Sequence, residues 1–169
     1  MDKTIENERL GQPASHIIVV PETRRRVWDV IADPESLAKY HPFCERDEIE
    51  RWPGVGSRDT IYYYSGAVFE RQFTGWDEGR GYDLLGTMED GTTFRVSWRI
   101  EAVGPVGSSL TITIWPIIPP GSEDRSRQIS RLLTRYLKQV GEGLQHYLRT
   151  GQPVSRNQFG SHRLFSPPF

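Results

Sequence analysis

The feature that most constrains this chain is a long amphipathic segment near its C-terminal end. Over residues 122–150, apolar side chains recur at steps of three and four residues, as on one face of an α-helix. The residues of this stripe are Ile129, Leu132, Leu133, Tyr136, Leu137, Val140, Leu144, Tyr147 and Leu148. Such a wide face must be covered by another layer of structure. We therefore expect one long helix that packs on a sheet, with Ser122 as its N-cap and Gly151 after its last turn.

The segments upstream of this helix predict the sheet on which it lies. Apolar and polar residues alternate with period two, most clearly over residues 94–101, and glycine-containing turns separate the segments. A first strand at residues 15–20 precedes two short helices, and about six antiparallel strands follow. The prolines of residues 116–120 are expected to end the sheet. A helix across a curved antiparallel sheet often encloses a cavity, where we expect the function to reside.

Length and composition fit one globular domain and argue against several classes of protein. The chain of 169 residues divides into a flexible leader at residues 1–14, a domain at residues 15–150 and a tail at residues 151–169. A formal net charge of −1 argues against a nucleic-acid partner bound through phosphate attraction. The single cysteine, Cys44, cannot form an internal disulfide, and no apolar stretch approaches the roughly 20 residues of a membrane span. We expect a soluble cytoplasmic protein.

The order of elements, together with a set of residues, resembles the START-like (SRPBCC) superfamily, whose fold is also called helix-grip or birch-pollen-allergen-like. The matching residues run through the whole domain: Val27-Trp28, Ala32-Asp33-Pro34-Glu35, Tyr40-His41-Pro42, Gly56, Gly66, Glu70-Arg71, Trp76-Asp77, Tyr82 and Trp98. Within the superfamily, the chain is most similar to the polyketide cyclase/dehydrase and lipid transport group.

The resemblance implies an α+β fold. A curved antiparallel sheet of about seven strands would wrap around the long C-terminal helix, with two short helices after the first strand. It also implies a hydrophobic cavity between sheet and helix that holds lipids, polyketides, hormones or aromatic molecules. Some members of the group catalyse cyclisation or dehydration and others only bind, so the fold does not choose between these activities.

Arg71 is the first candidate for a polar group in that cavity. It shares one face of the strand predicted at residues 68–76 with Phe69 and Phe73, so an inward register places a cation among aromatic rings. An unpaired buried charge is costly, so Arg71 could fix an anionic or carbonyl group of a ligand. A salt bridge with Glu70 or Asp59 is the alternative, and the inverted register would leave Arg71 in solvent.

His41 and the tyrosines at residues 62–64 are the other polar candidates. His41 lies near the cavity mouth in relatives and could act as a general base or as a hydrogen-bonding gate. Because consecutive strand residues face opposite ways, at least one tyrosine must point each way, and Tyr62 and Tyr64 are assigned to the cavity. The alternatives are a partly exposed loop histidine and ordinary sheet packing of the tyrosines. In an enzyme, Arg71 would polarise a carbonyl while His41 or Tyr62 moves a proton.

The other predicted ligand-binding residues are apolar or aromatic, and core packing is their alternative role. They are Tyr40, Leu84, Met88, Phe94, Trp98, Ile112, Ile114, Leu133, Tyr136 and Val140. No metal site is predicted because the histidines are scattered, and no cofactor is expected because no phosphate loop or dinucleotide motif occurs. Gly141 and Gly143 interrupt the long helix at a cost of about 1 kcal/mol each relative to alanine, which indicates a close approach of its backbone to a strand or ligand.

Two surface features suggest contacts outside the cavity. Arg127, Arg131, Arg135 and Lys138 form a cationic ridge opposite the apolar face, which could contact anionic lipid headgroups or could simply be solvated. The tail carries four large apolar residues that could cover the cavity mouth, reach across a homodimer or remain disordered: Phe159, Leu164, Phe165 and Phe169.

The expected function is binding or transport of a small hydrophobic ligand of lipid, polyketide or aromatic type. A cofactor-independent cyclase or dehydratase using the same cavity is one alternative. A protein-interaction or membrane-docking module is another. Two convergent titratable groups in the cavity would favour the enzyme, and an apolar lining with one polar anchor would favour the carrier. A blocked cavity would favour the interaction module.

Overall fold

In the computed structural model, which describes residues 9–168, the chain forms one antiparallel sheet and three helices. The elements follow one another as β1 (Arg9–Leu10), β2 (Ala14–Val20), α1 (Arg24–Ile31), α2 (Leu37–Tyr40), β3 (Cys44–Arg51), β4 (Arg58–Tyr63), β5 (Val68–Asp77), β6 (Gly81–Met88), β7 (Thr93–Val103), β8 (Gly107–Ile118) and α3 (Glu123–Thr150). The predicted α+β class and element order are thus confirmed, and β2 to β8 are the seven longer strands.

Strand pairing places the beginning of the chain beside the last strand. The sheet runs in the order β1-β8-β7-β6-β5-β4-β3, and β2 pairs with β8 next to β1. The alternation of β7 matches its prediction, since Phe94, Val96, Trp98 and Ile100 are buried between exposed arginines. One face of the sheet therefore carries the core, and α3 covers that face.

The long helix lies mainly against β2, with further contacts to α2 and β8. Its two glycines allow this close packing. A Cβ atom on Gly143 would lie 2.1 Å from the Tyr40 carbonyl oxygen, and one on Gly141 would lie 2.8 Å from the Ile18 Cγ2 methyl. Protein neighbours, rather than a ligand, therefore occupy the space that both glycines leave.

Helix α1 begins at Arg24, because the Thr23 hydroxyl accepts the Arg26 N–H as an N-cap. Two predictions about the ends of other elements need correction. Strand β8 continues through Pro116, whose carbonyl accepts the Gly11 N–H at 2.7 Å, so proline does not end the sheet there. Ser122 occupies the N-cap position of α3, but its side chain makes no capping hydrogen bond.

The predicted end of α3 is confirmed, because Gly151 adopts the left-handed conformation at φ 69° that stops the helix. Of the predicted leader, residues 1–8 lie outside the described residues, while Arg9 and Leu10 form β1. Within residues 9–168, no helix is both long and apolar enough to cross a membrane.

Candidate functional site

The sheet and α3 enclose a cavity of about 50 Å³. Its lining residues come from α2, strands β4 to β8, α3 and the tail: Leu37, His41, Ile61, Tyr63, Phe69, Arg71, Leu84, Met88, Phe94, Val96, Trp98, Ile112, Ile114, Leu133, Tyr136, Leu137, Val140 and Phe165. A cavity of this size has room for a few water molecules. For comparison, an engineered apolar cavity of about 150 Å³ in another protein binds benzene. The space predicted between helix and sheet is therefore present but largely filled.

Two of the predicted cavity tyrosines, Tyr62 on β4 and Tyr64 directly after it, do not line the cavity. Tyr62 is on the outer face, where its hydroxyl donates to Glu48 at 3.1 Å. Tyr64 is half-buried outside the cavity, with the Arg156 guanidinium 4.8 Å from its ring centre. Tyr63 is the tyrosine that faces inward, because it shares the buried face of β4 with Ile61. Ile61 is aliphatic and is expected to face inward, and residues two apart on a strand share a face. The position of Ile61 therefore predicts that Tyr63 also faces inward.

Tyr40 and Phe73 are buried but do not reach the cavity. Tyr40 ends α2, where its carbonyl lies against α3. Phe73 packs among Trp52, Trp76 and Tyr82 in an aromatic cluster between α1 and the sheet, with ring centres 5.0 to 5.9 Å apart. Both residues belong to the hydrophobic core rather than to the cavity wall.

Sequence reasoning missed six lining residues. Ile61, Val96 and Leu137 follow from the same alternation and helical periodicity as the residues that were chosen. Tyr63 follows once Ile61 is placed, and Leu37 lies on a helix of only four residues. Phe165 was predicted only as one of four apolar tail residues that could cover the cavity mouth, and the structure places it in the cavity wall.

Arg71 faces inward, and its charge is already paired. Its Nε donates to Asp59 Oδ1 at 2.7 Å and its Nη2 donates to Asp59 Oδ2, which makes a two-point contact between buried side chains. The Arg71 guanidinium also lies 5.0 Å from the Phe73 ring centre. The structure therefore shows the salt bridge to Asp59, and Arg71 does not wait for a ligand carboxylate.

A second carboxyl group, Asp47 on β3, lies beside this pair. Asp47 pairs with Ile61, so it occupies the same face of the sheet as Asp59. Neither of its oxygens, both buried, has a hydrogen-bond partner among the described residues. Burial, followed by the negative charge of Asp59, raises the pKa of Asp47 to about 8, against the smaller opposing effect of Arg71. At neutral pH, Asp47 is thus mostly uncharged, and the Arg71–Asp59–Asp47 cluster has almost no net charge.

His41 begins a buried hydrogen-bond chain that reaches the cavity. Its Nδ1 accepts the backbone N–H of Phe43 at 3.2 Å, and its Nε2 lies 2.7 Å from the Tyr136 hydroxyl. The Tyr136 hydroxyl lies 3.0 Å from that of Tyr63. Burial, with a contribution from the Arg71 charge, lowers the pKa of His41 to about 3, so its ring is neutral at pH 7. Its acceptor nitrogen is used by Phe43, which argues against a general base.

The tail, residues 152–168, lies over the cavity mouth. Phe165 is 7% exposed, and its ring centre is 4.5 Å from those of both Tyr63 and Tyr136. The Phe165 carbonyl accepts the Ser65 N–H at 3.0 Å, and His162 Nε2 lies 2.9 Å from the Leu132 carbonyl of α3. The tail therefore bridges the β4–β5 turn and α3, and Phe165 fills the opening between them. Phe169, also predicted to be apolar cover, lies outside the described residues.

A surface groove of about 810 Å³ adjoins this opening. The groove and the cavity share four wall residues: Met88, Phe94, Leu133 and Phe165. Arg125, Arg131 and Arg163 stand along the groove with Glu89 and Asp90. Movement of the shared wall would join the groove to the cavity and provide a route for a ligand.

The remaining candidates are at the surface or inert. All four residues of the cationic ridge are exposed, and Arg127 pairs with Asp124. Burial raises the pKa of the Cys44 thiol to about 12, so a nucleophilic thiolate is not favoured. In the part of the chain that the structure describes, no three His, Cys, Asp or Glu residues are grouped to hold a metal ion.

Comparison with models of known families finds no match, and comparison with curated proteins finds none either. Solved structures do resemble the chain. DynU16, from the dynemicin biosynthetic locus, is 17% identical with a TM-score of 0.68 over 86% of this chain and 51% of its own. The chain thus spans about half of DynU16.

Two further structures match over nearly their whole length. A START superfamily protein from Mycobacterium smegmatis is 14% identical, with a TM-score of 0.67, over 84% of this chain and 100% of its own. Ara h 8.0201 is 15% identical, with a TM-score of 0.63, over 82% of this chain and 98% of its own. The chain therefore has the same helix-grip fold as these structures, which is the fold that its sequence predicts.

Proposed function

We propose that this protein binds a small hydrophobic ligand, of lipid, polyketide or aromatic type, between the sheet and α3. The observation that carries the proposal is an apolar-lined space next to a surface groove, with four residues that form a wall shared by the two. Such a concave apolar site with few polar groups is the usual form of a small-molecule site.

The arrangement of polar groups supports binding rather than catalysis. Arg71 is paired with Asp59, and His41 uses its acceptor nitrogen for the Phe43 N–H. An acid–base pair needs a group free to take a proton from the substrate. The cavity offers hydrogen-bond donors instead.

The ligand enters by displacing the Phe165 ring from the opening. The closed cavity is too small for a ring compound, whereas the adjoining groove is about 810 Å³. Phe165 lies in a segment after the last helix rather than in a strand, so its ring can move without breaking the strand pairing of the sheet.

The test is a fluorescence titration with N-phenyl-1-naphthylamine, a neutral apolar probe. Leu133→Phe should weaken probe binding at least tenfold, because Leu133 belongs to both the cavity and the groove. Leu132→Phe is the matched control, since Leu132 lines the groove but not the cavity.

Val96→Phe is a second variant that fills the cavity, in this case from β7. Far-UV circular dichroism would establish that each variant is folded. If folded Leu133→Phe and Val96→Phe both bind the probe as tightly as the wild type, the ligand does not occupy the cavity and the proposal is wrong. Native mass spectrometry of freshly purified protein, with extraction of any bound compound, would identify the ligand.

A further inference from the structure

The hydrogen-bond chain at the cavity contains one proton more than it can use. His41 is neutral and accepts the Phe43 N–H at Nδ1, so its single ring proton is on Nε2. With the two tyrosine hydroxyls, the chain has three protons to donate. It contains only two contacts, from His41 to Tyr136 and between Tyr136 and Tyr63. Whichever way the hydroxyls turn, one O–H proton has no acceptor in the chain.

The unused proton faces the cavity. Both tyrosines line it, and among residues 9–168 neither hydroxyl has a further nitrogen or oxygen acceptor. Hydrogen bonds strengthen one another when each hydroxyl both accepts and donates, which favours the order His41 to Tyr136 to Tyr63. This order leaves the free proton on Tyr63, and a buried donor without an acceptor is costly.

The surroundings of this donor lack a free positive charge. Arg71 is neutralised by its two-point contact with Asp59, and His41 is uncharged. The rest of the lining is apolar. A ligand carboxylate placed here would lose its hydration without gaining a cation, whereas a carbonyl would lose little and gain one hydrogen bond.

We infer that Tyr63 donates a hydrogen bond to a neutral acceptor on the ligand, such as the carbonyl of a ketone, ester or lactone, and that the cavity disfavours carboxylates. This inference rests on the proposed function, because it names the chemical class of ligand for the same cavity.

The experiment compares three probes that share one ring: acetophenone with a neutral acceptor, ethylbenzene with none, and benzoate with an anionic one. Dissociation constants would be measured by ligand-observed NMR at pH 7 on the wild type and on Phe165→Ala, in which removal of the ring makes room beside Tyr63. The selectivity ratio, Kd of ethylbenzene over Kd of acetophenone, should fall about tenfold when Tyr63→Phe and Tyr136→Phe are added together. Both changes are needed because Tyr63→Phe alone would pass the spare proton to Tyr136, which also lines the cavity.

Tyr62→Phe is the matched control, because it removes the same hydroxyl from the neighbouring residue on the outer face of β4. It should leave the selectivity ratio unchanged. The infrared carbonyl stretch of ¹³C-labelled acetophenone supplies a readout that a structural effect would not mimic. The stretch should shift to lower frequency on binding, and Tyr63→Phe together with Tyr136→Phe should remove the shift.

Each other outcome overturns a defined part of the reasoning. A selectivity ratio that Tyr63→Phe together with Tyr136→Phe does not change overturns the inference, since neither hydroxyl then donates to the ligand. Benzoate binding tighter than acetophenone also overturns it, because a cation must then be available. If none of the three probes binds to either protein, the proposed function fails, and the inference fails with it.

Discussion

Replacement of Phe165 by alanine tests whether the tail is what keeps the cavity closed. The Phe165 ring is 7% exposed and packs on Tyr63 and Tyr136 with ring centres 4.5 Å apart. Burial of a phenylalanine side chain contributes about 1.5–3 kcal/mol, and a favourable aromatic pair adds about 0.5–1.5 kcal/mol. We therefore expect Phe165→Ala to lower the free energy of unfolding by about 3 kcal/mol.

The same change should strengthen ligand binding. A ligand that must displace the Phe165 ring loses the free energy with which that ring is held. Each 1.4 kcal/mol of this cost weakens the dissociation constant about tenfold. If even half of the packing energy is lost on ligand entry, Phe165→Ala should bind N-phenyl-1-naphthylamine at least tenfold more tightly than the wild type.

Urea denaturation followed by tryptophan fluorescence and titration of the probe would measure the two effects. Phe159→Ala is the matched control, because Phe159 lies in the same tail but contacts His146, outside the cavity, at 6.2 Å between ring centres. It should leave probe affinity unchanged. A folded Phe165→Ala that loses stability but binds the probe no more tightly refutes the role of the tail as a barrier. An equal gain in Phe159→Ala would refute the specific role of Phe165.

Three further predictions use the same denaturation assay. Arg71→Leu should lower the free energy of unfolding by about 3–5 kcal/mol because Asp59 becomes an unpaired buried charge. The double variant Arg71→Leu with Asp59→Leu should lose less stability than Arg71→Leu alone. A double variant that loses the sum of the two single losses would contradict this. Between pH 6.5 and 8, stability should fall by up to about 1.4 kcal/mol per pH unit, since folded Asp47 keeps a proton that the unfolded chain has released. Asp47→Asn should remove this slope, and a slope that persists would show that another group causes it. Below pH 6.5 the lowered pKa of His41 has the opposite effect, because stability then rises with pH as the unfolded chain loses its histidine proton. Gly143→Ala should lower the free energy of unfolding by about 1–3 kcal/mol because its Cβ would meet the backbone of α2. Gly141→Ala would meet only side-chain atoms, of Ile18 and His16, and should cost less; equal costs would contradict the close approach.

The fold could be predicted from the sequence because its main signals are periodic. The amphipathic stripe of α3 and the alternation of β7 each specify one buried face, and burying both faces requires the helix to lie on the sheet. The errors arose where one local contact overrides a residue preference. Pro116 stays in β8 because its carbonyl still finds a partner in Gly11.

The site was predicted less completely, because periodicity identifies a face and not its partners. The pattern places Arg71 on the same face of β5 as Phe69 and Phe73 and offers Asp59 as one of two possible partners. Only the strand pairing shows that Asp59 compensates the charge of Arg71. Three consecutive tyrosines do not reveal which of them face the core, and for this reason the prediction names Tyr62 and Tyr64 instead of Tyr63. An inward direction assigned first to Ile61 would have corrected that choice.

The position of the tail changes the interpretation of the cavity. Without Phe165, an apolar space facing a groove would suggest an open carrier, and a space of about 50 Å³ alone would suggest a packed core. The Phe165 ring fills the opening, yet it is attached to a segment that follows the last helix, and it lies on the two hydroxyls that have a proton to spare. An unmet buried donor reduces stability, so packing alone gives no reason to keep one beneath the Phe165 ring. The pairing of Phe165 with Tyr63 and Tyr136 is therefore better explained by a ligand that replaces the ring and accepts the proton.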